Sequence, residues 1–273
     1  MFPLAEKLIV TLKGNDNIFV KFLPNHYQYS PQTFRTFTRN SITFKVDISD
    51  WMGYAAYFKM TLEWHDTLFS LVKKDMVVLD IGANIGFTVL NMALLVKDSG
   101  TIYAFEPDNY NYHALSDNLL LNPKLKNIKT FQLGLGNSTA KLKLLIQEGN
   151  RGTNKITDSE TAGNYELVDI VKLDDFVKDK QIPKIDLIKI DTEGFEINVL
   201  KGAEETLKKN MPILFIEVDN DHLMAQHSSA KDLITYIKSL GYEITADRTG
   251  KLVSPSDDLN NCHFDIICKA PKS

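Results

Sequence analysis

The sequence offers few of the features that assign a chain to a class quickly. It has two cysteines in 273 residues, and no Cys/His cluster with metal-ligand spacing. Cys262 and Cys268 fall in one apparent strand at an even spacing. That puts them on one face but about 20 Å apart at ~3.3 Å per residue, too far for a disulfide. They read as core residues of a cytosolic protein. No run approaches the roughly 18 consecutive apolar residues of a membrane span. The opening MFPLAEKLIV has neither a basic region before a long apolar stretch nor a small-residue cleavage site, so a cytoplasmic location is expected. The net charge is −4, which gives no electrostatic footprint for nucleic acid. Repeats and low-complexity tracts are missing as well.

What is present is apolar content and pattern. Hydrophobic residues make up 44% of the chain, enough for one large domain or a domain with an appended subdomain. Residues 1–73 are rich in aromatics and polar groups and read as an N-terminal extension. Within them Ile42, Phe44, Val46 and Ile48 alternate with polar residues, as in a strand with one wet face. The following DWMGYAAYFKMTLEWHD is helical or irregular. Residues 74–273 form the main domain, with a βαβα pattern. Strand-like runs are VVLDIG, TIYAFEP (101–107), IKTFQLGLG (128–136), IDLIKID (185–191) and PILFIEVD (212–219). Helical patterns cover residues 86–96, 109–121 and 196–209. Such alternation implies a mostly parallel, doubly wound α/β sheet. Leu142, Leu144 and Ile146 suggest an extra strand, and GNRGTNKITDSETAGNY (149–165) reads as a long loop, a linker or a lid. A helix over 229–240 stops at Gly241, and strands near 242–246 and 263–270 close the chain.

In doubly wound sheets ligands bind beyond the carboxyl ends of the strands. Here almost every strand-like run ends in an acid: Asp80, Glu106, Asp191, and Glu217 with Asp219. One such acid is ordinarily a solvated cap; four at one edge point to a site. DIGANIG (80–86) reads as a tight strand-to-helix turn whose glycines let a ligand approach the backbone, although an ordinary βα turn looks the same. Glu106 follows Gly86 by about 20 positions, a spacing that suits an acid bonding both hydroxyls of a ribose; a helix-start acid beside Pro107 is the alternative. Asn84 stands where a dinucleotide fingerprint needs glycine. Asparagine still permits the turn, but a nucleoside without phosphates fits better than a pyrophosphate.

Taken together, VLDIGANIGFTVL, YAFEPDNYNYHALSDNLLLN, LGLGN, IDLIKIDTEGFEINVLKGAEETL and PILFIEVD resemble the FkbM-type family of S-adenosylmethionine-dependent methyltransferases. The resemblance is continuous over roughly residues 75–219, with looser echoes in KVDISDWMGYAAYF and in the closing strand. It implies a Rossmann-like, seven-stranded doubly wound sheet whose last strand runs antiparallel. It also implies S-adenosyl-L-methionine as cofactor and a hydroxyl of a sugar, glycan or secondary metabolite as acceptor. Asp80, Gly82, Ala83, Asn84 and Gly86 would wrap the methionine moiety. Glu106, followed by Pro107, would hold the ribose, Gly134 and Leu135 would flank the adenine, and Asp191 would sit near the transferred methyl. Thr192 departs from the valine frequent in the family and adds a hydroxyl.

Methyl transfer to a hydroxyl profits from a base, and the candidates are Asp191, Glu193, Glu217 and His222. Asp191 with Asp219 and Asn220 resembles the Mg²⁺ arrangement of some catechol-type O-methyltransferases, but solvated acids explain them better, and no metal is expected. Trp51, Tyr54, Tyr57, Glu63 and Trp64 would form either an acceptor wall or a hydrophobic cap on the sheet edge. Arg151 and Asn154 would belong to a lid or to a plain insertion. A nucleic-acid methyltransferase would share the cofactor site, but the chain lacks an Asn/Asp-Pro-Pro-aromatic motif and a Pro-Cys nucleophile. A non-catalytic nucleoside-binding module is the remaining alternative. Nothing in the sequence sets the oligomeric state.

Overall fold

The computed structural model describes residues 24–60, 65–157 and 163–271. Among the described residues a short 3-10 turn (His26–Gln28) precedes an antiparallel hairpin of β1 (Phe34–Arg39) and β2 (Ile42–Asp47). Its two-residue turn, Asn40 and Ser41, has positive φ at both positions (50° and 65°), which matches the twist of the flanking strands. Ile42, Phe44 and Val46 are buried on one side of β2, as the alternation predicts. Helices α1 (Trp51–Tyr57) and α2 (Asp66–Leu71) follow, α1 capped by Asp50, whose side chain accepts from Met52 N.

The main sheet contains β3 (Val77–Ile81), β4 (Thr101–Phe105) and β5 (Ile128–Phe131), joined by α3 (Phe87–Val96) and α4 (Asn109–Leu120). The outer edge of β2 docks on α4 through side-chain amides in place of a strand. Thr43 N donates to Asn122 Oδ1 (2.9 Å) and Lys45 N to Asn118 Oδ1 (2.8 Å). A smaller sheet comes next, built of β6 (Gly134–Leu135), β7 (Ala140–Leu145), β8 (Lys155–Thr157) and β9 (Tyr165–Val171) in the order β6-β9-β7-β8. The chain then runs through α5 (Leu173–Asp179), β10 (Leu187–Ile190), α6 (Glu196–Lys201), α7 (Glu204–Asn210) and β11 (Ile213–Asp219). It closes with α8 (Asn220–Ala225), α9 (Ala230–Ser239), β12 (Glu243–Ala246) and β13 (His263–Lys269).

The seven strands of the main sheet lie in the order β12-β13-β11-β10-β3-β4-β5, and β13 is antiparallel to both neighbours, as the resemblance implies. Every residue of β10 is buried, the mark of a central strand covered on both faces. No helix among the described residues is long and apolar enough to cross a membrane.

Four local expectations need correction. IKTFQLGLG is two strands, β5 and β6, which belong to different sheets. The helix expected over 196–209 breaks at Gly202, where a Cβ would stand 1.9 Å from the carbonyl oxygen of Gly136. The long loop contains β8, paired with β7. Cys262 lies just before β13, half-buried, while Cys268 is in it and buried. Strand β9 was not foreseen, because Tyr165 and Leu167 are exposed and blur its two-residue period.

Candidate active site

The turn after β3 is shaped by left-handed backbone at Gly82 (φ 81°), Asn84 (φ 48°) and Gly86 (φ 86°), the last serving as N-cap of α3. A Cβ on Gly82 would stand 1.8 Å from the carbonyl oxygen of Asp191, so the β3 turn and the end of β10 touch backbone to backbone. Glu106 locks the turn from the other side. Its Oε2 accepts from Asn84 N (2.7 Å) and its Oε1 from Asp108 N (2.9 Å). Burial raises the Glu106 carboxyl to about 8, partly offset by those two N–H bonds. Gly82, Ala83, Asn84, Glu106, Pro107, Gly134 and Leu135 all line one cavity of about 780 Å³. That volume lies within the roughly 300–1,000 Å³ of small-molecule sites.

Asp80 and Gly86 do not line it. Asp80 is fully buried beneath the turn, accepting from Thr88 Oγ1 and paired with Lys189, whose Nζ is 3.3 Å from Asp80 Oδ1. The same ammonium is 3.2 Å from Asp191 Oδ2 and donates to Gly82 O at 2.9 Å. Burial opposes the charge on Lys189, but Asp191 and Asp80 outweigh it and raise its pKa. For Asp191 burial likewise acts upward, and Lys189 overrides it and holds the carboxyl below its usual value. Sequence reasoning missed Lys189. The signal was one lysine inside the otherwise apolar strand of IDLIKID.

Beyond β10, DTEGFE forms a second turn with positive φ at Glu193 (54°) and Gly194 (99°). Glu196, 1% exposed, organises it by accepting from Thr192 N (3.0 Å) and Gly194 N (3.1 Å). The Thr192 hydroxyl joins the same oxygen at 3.0 Å, so the departure from valine strengthens the turn. A Cβ on Gly194 would stand 2.3 Å from His222 O, which fixes the turn against α8. The Glu193 carboxylate thereby meets His222, Oε2 to Nδ1 at 2.7 Å. That contact raises the His222 pKa above its ordinary 6.5. Glu217 is 3.2 Å from His263 Nε2. Asp191, Glu193 and Glu217 bring carboxylate oxygens within 4.8 Å of one another, and each has its own basic partner: Lys189, His222 and His263.

The set Asp191, Asp219 and Asn220 does not converge. Asp219 caps α8, accepting from Asp221 N (2.9 Å) and His222 N (3.0 Å), and Asn220 Oδ1 accepts from Ala230 N (3.0 Å). Of the aromatic candidates Trp51 lines the cavity, whereas Tyr54 and Tyr57 are buried with Phe44 and Phe58. Glu63 and Trp64 lie outside the described residues. Arg151 and Asn154 line the cavity and are tied down, both bonding Asp108 Oδ2 (2.8 and 2.9 Å), while Arg151 N donates to Asp50 Oδ2 (2.8 Å). His65, which no sequence pattern singles out, also lines the cavity; burial lowers its pKa to about 4.

This geometry joins a glycine turn, an acid-ended second strand and an acid-rich third turn around one cavity. The profile of the methyltransferase FkbM domain matches residues 80–244, more than half of the chain. The chain belongs to the FkbM methyltransferase family. Its cofactor is S-adenosylmethionine, the one the motifs imply. This FkbM chain is 34% identical to methyltransferase sdnD of Sordaria araneosa, over 47% of its own length and 60% of the relative's. It is 27% identical to hexuronic acid methyltransferase AglP of Haloferax volcanii, over 52% and 55% of the two lengths. Similarity to 2-O-methyltransferase NoeI of Sinorhizobium fredii is 26% over 55% and 66%. The chain thus spans less than two thirds of each of these relatives. The crystal structure of methyltransferase FkbM from Methylobacillus flagellatus shares the fold, with a TM-score of 0.51 at 20% identity over 78% of this chain and 50% of that one.

Proposed function

We propose that this chain transfers a methyl group from S-adenosylmethionine to a hydroxyl oxygen of a sugar, glycan or other secondary metabolite. The observation that carries the reading is the Glu193–His222 pair, 2.7 Å apart, on the wall of the cavity that the glycine turn also lines. The name of one relative, a 2-O-methyltransferase, supports an oxygen acceptor, and that of another, a hexuronic acid methyltransferase, supports a sugar-type acceptor.

The residues present fit the cofactor. Gly82, Ala83 and Asn84 form a wall that only a residue without a side chain at 82 permits, and Glu106 offers a buried carboxylate beside it. We assign these residues, with Pro107, Gly134 and Leu135, to holding it; Asp80 acts from beneath through Lys189, and Gly86 sets the backbone. When bound, S-adenosylmethionine supplies a methyl group on a sulfonium, an electrophile strong enough that the protein need only position the acceptor and remove a proton. His222 turns Nδ1 toward Glu193 Oε2, 2.7 Å away, and Nε2 is the nitrogen left to take the hydroxyl proton. Asp191, held charged by Lys189, is a weak base and serves better to orient the hydroxyl. The base therefore shifts from Asp191, which the resemblance places nearest the methyl, to His222.

Calorimetric titration with S-adenosylmethionine and S-adenosylhomocysteine tests the cofactor; absence of binding to both would sink the reading. Glu106→Ala should weaken binding about tenfold, since the carboxyl, raised to about 8, is mostly neutral at pH 7 and each of its hydrogen bonds is worth roughly 0.5–1.5 kcal/mol. Mass detection of a methyl gain on a panel of hydroxylated acceptors tests transfer. Turnover should persist in EDTA, because the three clustered carboxylates already have partners. Loss on chelation, restored by Mg²⁺, would instead make Asp191, Glu193 and Glu217 metal ligands.

A further inference from the structure

His65 lines the cavity, yet the fold makes no use of its ring nitrogens. It is the N-cap of α2, but its side chain forms no capping bond; only its carbonyl serves the helix, accepting from Phe69 N at 2.9 Å. The ring packs on Phe69 and Phe87, with centroids 5.9 and 6.0 Å apart. Its Nδ1 is sealed from solvent without a hydrogen-bond partner. Burial and the charge of Lys189, against the opposing charge of Asp191, keep the ring neutral near pH 7. A neutral imidazole carries one proton, and a sealed N–H without an acceptor is costlier than a bare ring nitrogen. The proton therefore sits on Nε2, the nitrogen left for the cavity, and His65 acts there as a donor. Beside it lies the N-terminus of α3. This ten-residue helix has Gly86 as N-cap, no side chain capping it and no acid in its first turn. The first N–H groups of a helix find no carbonyl within it, and their dipoles favour an anion. Phe87 and Thr88, which carry the first of them, both line the cavity.

We propose that His65, donating from Nε2 together with the first turn of α3, holds the carboxylate of the cofactor's methionine moiety. The proposal rests on the assignment of the glycine turn, which ends at Gly86, to that moiety. A carboxylate can only accept, and this part of the wall offers donors. The cations nearby are already engaged. Lys189 is spent beneath the turn on Asp80, Asp191 and Gly82 O, and Arg151 is bonded to Asp108. A neutral donor also suits the ligand better than a cation would. The cofactor carries a sulfonium, and an ammonium next to its carboxylate, and a full positive charge on His65 would repel both.

The test is calorimetry on the full chain at pH 7 with two ligands, S-adenosylmethionine and its decarboxylated form. The second keeps the adenosine, the sulfonium and the amine and lacks only the carboxylate. His65→Phe retains a ring against Phe69 and Phe87 and removes the N–H. It should weaken S-adenosylmethionine roughly tenfold to a hundredfold, the range of one hydrogen bond to a charged group, and leave the decarboxylated form unchanged. His65→Gln, whose amide presents an N–H near the position of Nε2, should recover most of that loss. Thermal melts establish that both variants fold. Unchanged affinity for S-adenosylmethionine in His65→Phe overturns the proposal, as does equal weakening of the two ligands. A loss in His65→Gln as large as that in His65→Phe overturns it too. Failure of the cofactor assignment itself is a different result, seen as no binding of S-adenosylmethionine or S-adenosylhomocysteine to the unaltered chain.

Discussion

The two ends of the cavity are built from different materials. At the β3–β4–β5 end the wall is backbone: the turn at Gly82, Ala83 and Asn84, hydrogen-bonded to one buried acid, Glu106. At the β10–β11–β13–β12 end it is side chains, and ionisable ones: Asp191, Glu193, Glu217, Asp247 and Asp265, with His222 and His263 among them. Backbone donors and acceptors survive most side-chain substitutions, Gly82 excepted, and suit a ligand shared by a whole family. Ionisable side chains respond to one charge placed or removed, and suit the part of the reaction that differs between members. Lys189 joins the two ends, bonding Gly82 O and Asp80 on one and Asp191 on the other.

If that division holds, changes at the side-chain end should alter chemistry without touching cofactor affinity. His222→Ala should lower kcat by about 10²–10⁴-fold, the usual contribution of a general base, with the affinity for S-adenosylhomocysteine unchanged. Because Glu193 raises the His222 pKa above 6.5 and the base must be unprotonated, kcat should climb with pH through an inflection above 6.5. Glu193→Gln should move that inflection down. Near-normal turnover in His222→Ala would leave positioning alone to carry the reaction.

Changing the joint should break both ends at once. Lys189→Met leaves Asp80 and Asp191 facing each other with no cation between them. Removing one partner of a buried charge pair typically costs about 3–5 kcal/mol. A loss of that size in the unfolding free energy from urea titration is expected, together with loss of cofactor binding. A variant that melts and binds like wild type would show that the two ends are independent.

The same division explains what could be read before the fold was known. The backbone end is spelled in contiguous motifs, because a turn is made by neighbours: Gly82, Asn84 and Gly86 sit within five positions, and FEP follows at a set distance. The side-chain end is assembled from four strands, and no local pattern tells that Glu217 will lie opposite Asp265 or that Asp247 will follow in the same row. Glu193 and His222 were legible as candidates but not as a pair. Their contact depends on Gly194 packing against α8, a tertiary fact. The smaller sheet was hidden for a related reason. Strand β9 is longer than β2 and keeps the two-residue period in burial, but its exposed positions carry Tyr165 and Leu167, so the apolar alternation that marks β2 is lost in its sequence.

The smallest expected effect is on stability, and it has opposite signs at the two ends. Asp265 carries a folded pKa of about 7 against 3.8 for the free side chain, chiefly through burial and the neighbouring charges of Asp191 and Asp247. Between those values the native state binds more protons than the unfolded chain, so stability falls as pH rises through 7. Below about pH 4 the group is protonated in both states and has no effect. Asp265→Asn removes this loss. At pH 8 it should relieve about 0.2–1 kcal/mol of like-charge repulsion across the sheet. For a chain of this size that is a gain of roughly 0.5–4 °C in Tm, smaller at pH 5 and zero only below about pH 4. Glu106 also has a raised carboxyl, at about 8, yet it accepts two backbone N–H bonds that hold the cofactor turn. Glu106→Ala should therefore lower Tm at the pH where Asp265→Asn raises it. Thermal melts of both variants at pH 5 and pH 8 decide the matter. A loss of stability in Asp265→Asn at pH 8 would mean that the acid row is held by bonds and not merely tolerated, and the contrast between the two ends would fail.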